Sequence, residues 1–303
     1  MDGPEDRSIE SAQAFRRDAL AGRGAAARRA VERVLRAGGA RACAAFQRHF
    51  DGGYAPLAPN ASDVDRSVPE LALLQITAGY HGIPAIEDVT VDFPPGSMTA
   101  IVGANGAGKS TLLKALAGVL RPRSGQITRG AARENIAYLP QSDEVDRGFP
   151  ISVGEFVALG SWRRFGVFRP ATAATDDRLG VALDAVGLAG AAARPIAALS
   201  VGQFRRVLFA RLMLQDAGAL LLDEPFAAVD AVTMADLLRL VARWHADGRT
   251  VIAVLHDLDQ VRAHFPRTVL LARRCIAAGD TAAVLSAENL VRAGFAPRYE
   301  TAL

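Results

Sequence analysis

The residues Gly103-Ala104-Asn105-Gly106-Ala107-Gly108-Lys109-Ser110 carry the spacing G-x-x-x-x-G-K-[ST], which lets a chain wrap itself around phosphate. Glycines allow the backbone to turn until several N–H groups converge on one anion, and a helix opening at the same point adds its positive end. Lys109 supplies a point charge suited to bridging β- and γ-phosphates, and Ser110 a hydroxyl oxygen of the kind Mg²⁺ accepts. Thr111 can add a hydrogen bond to phosphate. An apolar run before the motif and a helix-forming run after it are the context that the chemistry requires.

A second group with chemical potential is Leu220-Leu221-Leu222-Asp223-Glu224-Pro225. Its apolar run ends in two carboxylates, which places them at the C-terminal edge of a buried strand beside the phosphate loop. Asp223 is expected to hold Mg²⁺ through water, and Glu224 to orient and deprotonate an attacking water. Asp-Glu-Pro would also suit a polar turn opening a helix. Four apolar residues in front of it, in a chain that already has a phosphate loop, favour the acidic pair.

These groups need a scaffold, and the apolar periodicity supplies one. From Leu71 the chain reads as a strand, a turn at Gly82, a strand through Val89 and Val91, a Pro-Pro-Gly turn at 94–96 and the apolar run Met98 to Val102. A helix is predicted from Gly108 to about Leu120, ended by Pro122. Further strands are predicted at Ile136 to Leu139, Ala219 to Leu222 and Thr250 to Leu255, with mostly helical chain over 151–199. Apolar strands alternating with helices predict a largely parallel sheet.

Residues 1–68 differ. They are rich in Ala and Arg, with thin apolar stripes at Ala27, Val31, Val34 and Leu35 and at Cys43, Phe46 and Phe50. This reads as a loosely ordered N-terminal extension, with a basic amphipathic arm as the competing reading. A compact domain is expected over 69–303.

Composition narrows the function. A chain of 303 residues that is 50% hydrophobic and 22% charged can bury a full α/β core. No run reaches the ~18–20 apolar residues of a membrane-spanning helix. The acidic, polar start at Met1 to Glu10 does not resemble a secretory signal, so a cytoplasmic location is expected. Cys43 and Cys275 lie far apart, and His49, His81, His245, His256 and His264 show no paired metal-ligand spacing. A net charge of +3 gives no support to a nucleic-acid partner.

With these motifs in order, the chain resembles the nucleotide-binding subunits of ABC transporters over residues 71 to about 285. Leu199-Ser200-Val201-Gly202-Gln203 is similar to that family's signature LSGGQ, with Val201 in place of the first glycine. The resemblance implies that Ser200, Gly202 and Gln203 reach the γ-phosphate of ATP held by another subunit, and that Gln141 contacts Mg²⁺ and water. It also implies that His256 contacts the γ-phosphate, that Tyr80 stacks on adenine, and that Asp230 lies in a dimer-contact loop. The fold it implies is an α/β P-loop NTPase: a RecA-like core, an antiparallel β-subdomain and an α-helical subdomain at about 142–200. Its cofactors would be ATP and Mg²⁺, and its partners a second identical or sister ATPase subunit and an integral membrane permease, on the cytoplasmic face of the membrane.

Phe149-Pro150-Ile151-Ser152-Val153, Gln203 to Arg211, Glu224 to Asp230 and His256-Asp257-Leu258 further resemble the ATPase subunits of zinc and manganese importers, which implies an extracytoplasmic metal-binding protein as an indirect partner. Three alternatives stand beside this: an importer of siderophore or cobalamin, an ABC-type protein of translation or DNA repair, and a nucleotide-dependent scaffold that has lost hydrolysis through Val201.

Overall fold

The structure is a computed structural model, and it describes residues 71–130, 136–141, 144–161 and 173–295, the side chains of 173–176 excepted. The predicted extension at 1–68, with Cys43 and His49, lies outside the described residues. The chain divides into two compact units, one of which includes Arg147–Gln215 while the other takes in the described residues on either side of that stretch.

The larger unit begins with β1 (Leu71–Tyr80) and β2 (Ile83–Phe93), paired antiparallel with Leu71 opposite Phe93 and Leu73 opposite Val91. Leu71, Leu73, Ile76 and Ala78 on one strand and Ile86, Val89, Val91 and Phe93 on the other are buried, so the near-alternation of the sequence becomes one apolar face. Further on, β4 (Ser124–Thr128) joins the free side of β1, giving a three-stranded sheet in the order β2-β1-β4.

Between them come β3 (Met98–Val102) and α1 (Lys109–Ala117). Leu112, Leu113 and Leu116 bury the inner face of α1. The helix stops earlier than the sequence suggests: Gly118 turns left-handed, its N–H bonding the Ala115 carbonyl, so the stop lies there and not at Pro122.

The second sheet has six strands in the order β5-β6-β7-β3-β8-β9. Its members are β3, β5 (Ile136–Leu139), β6 (Ala219–Asp223), β7 (Thr250–Val254), β8 (Arg267–Ala272) and the antiparallel edge β9 (Arg274–Asp280). Every residue of β3, β6 and β7 is buried, as expected of parallel strands covered on both faces. β5, β6, β7 and β3 run side by side in the same direction. Their C-terminal ends therefore share one edge, where open α/β sheets place their ligands.

In the other unit, α2 (Val153–Ala158) opens with a capping box: the Ser152 hydroxyl accepts from the Glu155 N–H while the Glu155 carboxylate accepts from the Ser152 N–H. It packs with α3 (Ala173–Ala185) and α4 (Val201–Gln215). Phe156 and Phe204 meet at 5.8 Å between ring centroids, and the Arg147 guanidinium lies over the Phe204 ring. Arg147 also donates to the carbonyl of Leu199, the residue before Ser200.

Candidate nucleotide site

The phosphate loop fills the gap between the end of β3 and α1. Asn105 and Gly106 are exposed at its tip, Ala104 is half-buried, and Gly103 and Ala107 are buried. Lys109 is also buried, with Nζ donating to the carbonyls of Gly103 at 2.9 Å and Ala104 at 3.0 Å. Burial lowers its pKa, while the charges of Glu224 and Asp223 pull the other way. Thr111 is buried on α1 next to Ser110.

The Ser110 hydroxyl donates to Asp223 Oδ1 at 3.0 Å, which joins the phosphate loop to the end of β6. Asp223 is fully buried, and this desolvation pushes its pKa up to about 6, against the opposing pull of the Ser110 hydrogen bond. The other oxygen, Oδ2, accepts from the Tyr138 hydroxyl at 3.4 Å. Burial, followed by the charge of Asp223, raises the pKa of Tyr138, which keeps it a donor.

Glu224 follows immediately, with φ +49°, a left-handed conformation that is rare outside glycine. Its Oε1 accepts from Gln141 Nε2 at 2.8 Å and lies 2.6 Å from His256 Nε2. Gln141 Nε2 also stands 3.4 Å from the Ser110 hydroxyl. Gln141 comes just after β5, Glu224 just after β6 and His256 two residues past β7, so neighbouring strands deliver all three groups. The hard oxygens of Ser110 and Asp223 form a donor pair that suits Mg²⁺, with Gln141 turning its Nε2 towards Ser110 and Glu224, and a buried carboxylate of raised pKa gains from a nearby cation.

Asp223 gives a stability prediction. A carboxylate whose folded pKa is raised from 3.8 to about 6 destabilises the fold when charged; the cost is absent below pH ~4, grows through the interval and is complete above ~6. Asp223→Asn is expected to stabilise the nucleotide-free chain at pH 8 by roughly 1–3 kcal/mol and to weaken Mg²⁺-dependent nucleotide binding. Thermal melts at pH 8 and pH 5 check this. The gain should shrink at the lower pH, and a variant that melts below the parent at pH 8 would contradict it.

The remaining predicted residues take separate positions. Tyr80 ends β1 opposite Ile83, and both are exposed, at 44% and 70%. Asp230 caps α5 (Ala231–Ala246), accepting from the Thr233 N–H at 2.8 Å and its hydroxyl at 2.7 Å. Ser200, Gly202 and Gln203 belong to the helical unit. There the Ser200 hydroxyl accepts from the Gln203 N–H and the Gln203 side chain from the Ser200 N–H, each at 3.2 Å. This reciprocal pair fixes the start of α4 and leaves the Ser200 O–H proton free to donate outward. Val201 projects its side chain into solvent, 45% exposed.

Two participants were not singled out from the sequence. One is Tyr138; an aromatic with a polar tip in a buried strand three residues before Gln141 was the available signal. The other is the Lys114–Glu144 ion pair, 2.6 Å, where burial works against the Lys114 charge but the Glu144 bond and charge outweigh it and raise its pKa. Among the described residues, no group of three His, Cys, Asp or Glu could hold a metal ion, and no helix is long and apolar enough to cross a membrane.

Residues 86–227 match the family described as ABC transporter. Over 220 residues the chain is 38% identical to the manganese transport system ATP-binding protein MntB of Bacillus subtilis (strain 168), an alignment covering 71% of this chain and 88% of that one. The chain belongs to the ABC transporter family. It is also 38% identical over 224 residues to the zinc transport system ATP-binding protein TroB of Treponema pallidum (strain Nichols), covering 72% and 84% of the two chains. A solved structure of an inward-facing ABC transporter described as of metal-chelate type superposes with a TM-score of 0.66 at 28% identity, covering 75% of this chain and 88% of that chain. The two-sheet α/β fold is thus that of an ABC ATPase, a nucleotide-binding and ATP-hydrolysing subunit.

Proposed function

We propose that this ABC ATPase powers the import of a divalent metal ion, zinc or manganese, by hydrolysing ATP between two copies docked on the cytoplasmic face of a membrane permease. The observation that carries the hydrolytic part is the meeting of Gln141 and His256 on one oxygen of Glu224, beside the Ser110–Asp223 pair.

In this reading Gly103 to Thr111 wrap the triphosphate, with the loop amides and Lys109 on its β and γ groups. Bound Mg²⁺ would be held by Ser110 and Gln141, with Asp223 acting through water, and would supply charge neutralisation on the β- and γ-oxygens. Glu224 orients a water and takes its proton as the water oxygen bonds to the γ-phosphorus; the bond from that phosphorus to the β–γ bridging oxygen breaks and ADP leaves. His256 fixes the Glu224 carboxylate and hydrogen-bonds the γ-phosphate. Tyr80 stacks on adenine, a role its exposed ring can fill. The signature tip of a second copy, with its free Ser200 proton and the start of α4, closes over the γ-phosphate, and Asp230 lies where the copies meet.

The likeness to manganese and zinc transport ATPases supports the cargo. Ion selection falls to the permease and an extracytoplasmic binding protein.

Co-reconstitution with the cognate permease tests the assignment. Vesicles are expected to take up radioactive zinc or manganese in an ATP-dependent manner, and Glu224→Gln to abolish uptake. Accumulation of a siderophore or cobalamin without either ion would overturn the cargo.

A further inference from the structure

We propose that Arg273 is a positioning residue that fixes the distance between the sheet carrying Tyr80 and the phosphate loop, so that base and phosphates are bound as one ligand. The proposal rests on the adenine role given to Tyr80.

The two ends of the nucleotide would be gripped by different sheets. Tyr80 belongs to β2-β1-β4, while Gly103 to Ser110 hang from β3 of the six-stranded sheet. A ligand that must satisfy both gains from the second contact only to the extent that their separation is set in advance.

Arg273 sits between β8 and β9 and bonds to both sides. Its N–H donates to the carbonyl of Ala107 in the phosphate loop at 3.0 Å, and its own carbonyl accepts from the Glu87 N–H in β2 at 2.8 Å. The guanidinium Nη2 reaches further along β2, donating to the Pro84 carbonyl and to Glu87 Oε1, both at 2.9 Å. Arg274 approaches the other Glu87 oxygen at 3.5 Å. Pro84 is the neighbour of Ile83, which pairs with Tyr80, so the guanidinium holds β2 close to the exposed ring.

The loop has little freedom between these anchors. A Cβ on Gly103 would lie 2.2 Å from the Leu271 carbonyl of β8, and one on Gly108 would lie 2.6 Å from the Ala85 carbonyl of β2. Backbone conformation points the same way, because Arg273 adopts φ +60°, which an L-residue avoids unless its surroundings hold it there. An ordinary surface ion pair would be the plainer account, since the Arg273 and Glu87 side chains are 55% and 35% exposed. Such a pair contributes little. It would not, however, explain the guanidinium's hydrogen bond to the Pro84 carbonyl, which Arg273→Ala removes together with the Glu87 contact while the two backbone bonds persist.

Titration calorimetry on the full chain with MgADP and, separately, inorganic tripolyphosphate distinguishes the accounts. Arg273→Ala is expected to weaken MgADP by roughly three- to tenfold while leaving tripolyphosphate within about twofold, because only the ligand that spans both sheets senses their spacing. Tyr80→Ala serves as the reference and should weaken MgADP by roughly 5- to 100-fold, with tripolyphosphate again unchanged. An Arg273→Ala chain that binds both ligands as the parent does, or loses both equally, overturns the proposal. If Tyr80→Ala leaves MgADP untouched, the stacking role fails by itself, and Arg273 is still judged by its ratio of MgADP to tripolyphosphate affinity.

Discussion

Glu224→Gln is expected to lower ATP turnover by roughly 100- to 10,000-fold, the range associated with loss of a positioned general base, while leaving ATP binding intact. Glutamine is close in shape to glutamate and can still accept from Gln141 and His256, which meet Glu224 at 2.8 and 2.6 Å. What it lacks is a site for the proton of the attacking water. Neither Lys109 nor the Ser110–Asp223 pair depends on the lost charge for its hydrogen bonds, so the triphosphate should remain gripped. Phosphate release by the assembled transporter measures the first effect, and light scattering of the ATP-loaded variant measures whether paired chains accumulate when hydrolysis stops. Turnover above about a tenth of the parent's would place the base elsewhere.

Gly108→Ala is expected to damage both the fold and the nucleotide site. Gly108 has φ +91°, and its Cβ would stand 2.3 Å from Ile86 Cγ2 and 2.6 Å from the Ala85 carbonyl. A side chain can rotate away, but the carbonyl belongs to β2 and cannot move without its ladder. Left-handed strain of about 1–3 kcal/mol and overpacking of similar size add at one residue. The melting temperature should fall by roughly 5–15 °C, and ATP affinity at least tenfold, since the loop can relieve the clash only by leaving its place over α1. Gly106→Ala is the control: φ is +79°, yet nothing lies within 4 Å of its Cβ. It should show the backbone penalty alone. Equal losses in the two variants would mean that the contact with β2 is unimportant.

Much of this site is readable in the sequence because its parts are local. The phosphate loop is eight adjacent residues, and the acidic pair is announced by the fully apolar strand before it. Thr250 to Leu255 works in the same way for His256. The parallel core is legible because strands buried on both faces appear as unbroken apolar runs. Where burial is slight the signal vanishes: Ser124–Thr128 is mostly exposed and shows no alternation, so β4 goes unseen. β8 and β9 are not among the strands expected from the sequence either, although Val269 to Leu271 is a short apolar run. Pro122 is the more conspicuous stop signal for α1, yet Gly118 already supplies the stop. Tyr138 and Arg273 are harder, because their partners Asp223 and Glu87 are 85 and 186 residues away and nothing in local spacing pairs them.

The shared edge formed by β5, β6, β7 and β3 has an evolutionary consequence. β5, β6 and β7 hand over Gln141, Glu224 and His256 within two positions of their ends, while β3 leads directly into the phosphate loop at Gly103. A lineage can therefore rewrite one connecting stretch without disturbing the strand pairing behind the other three.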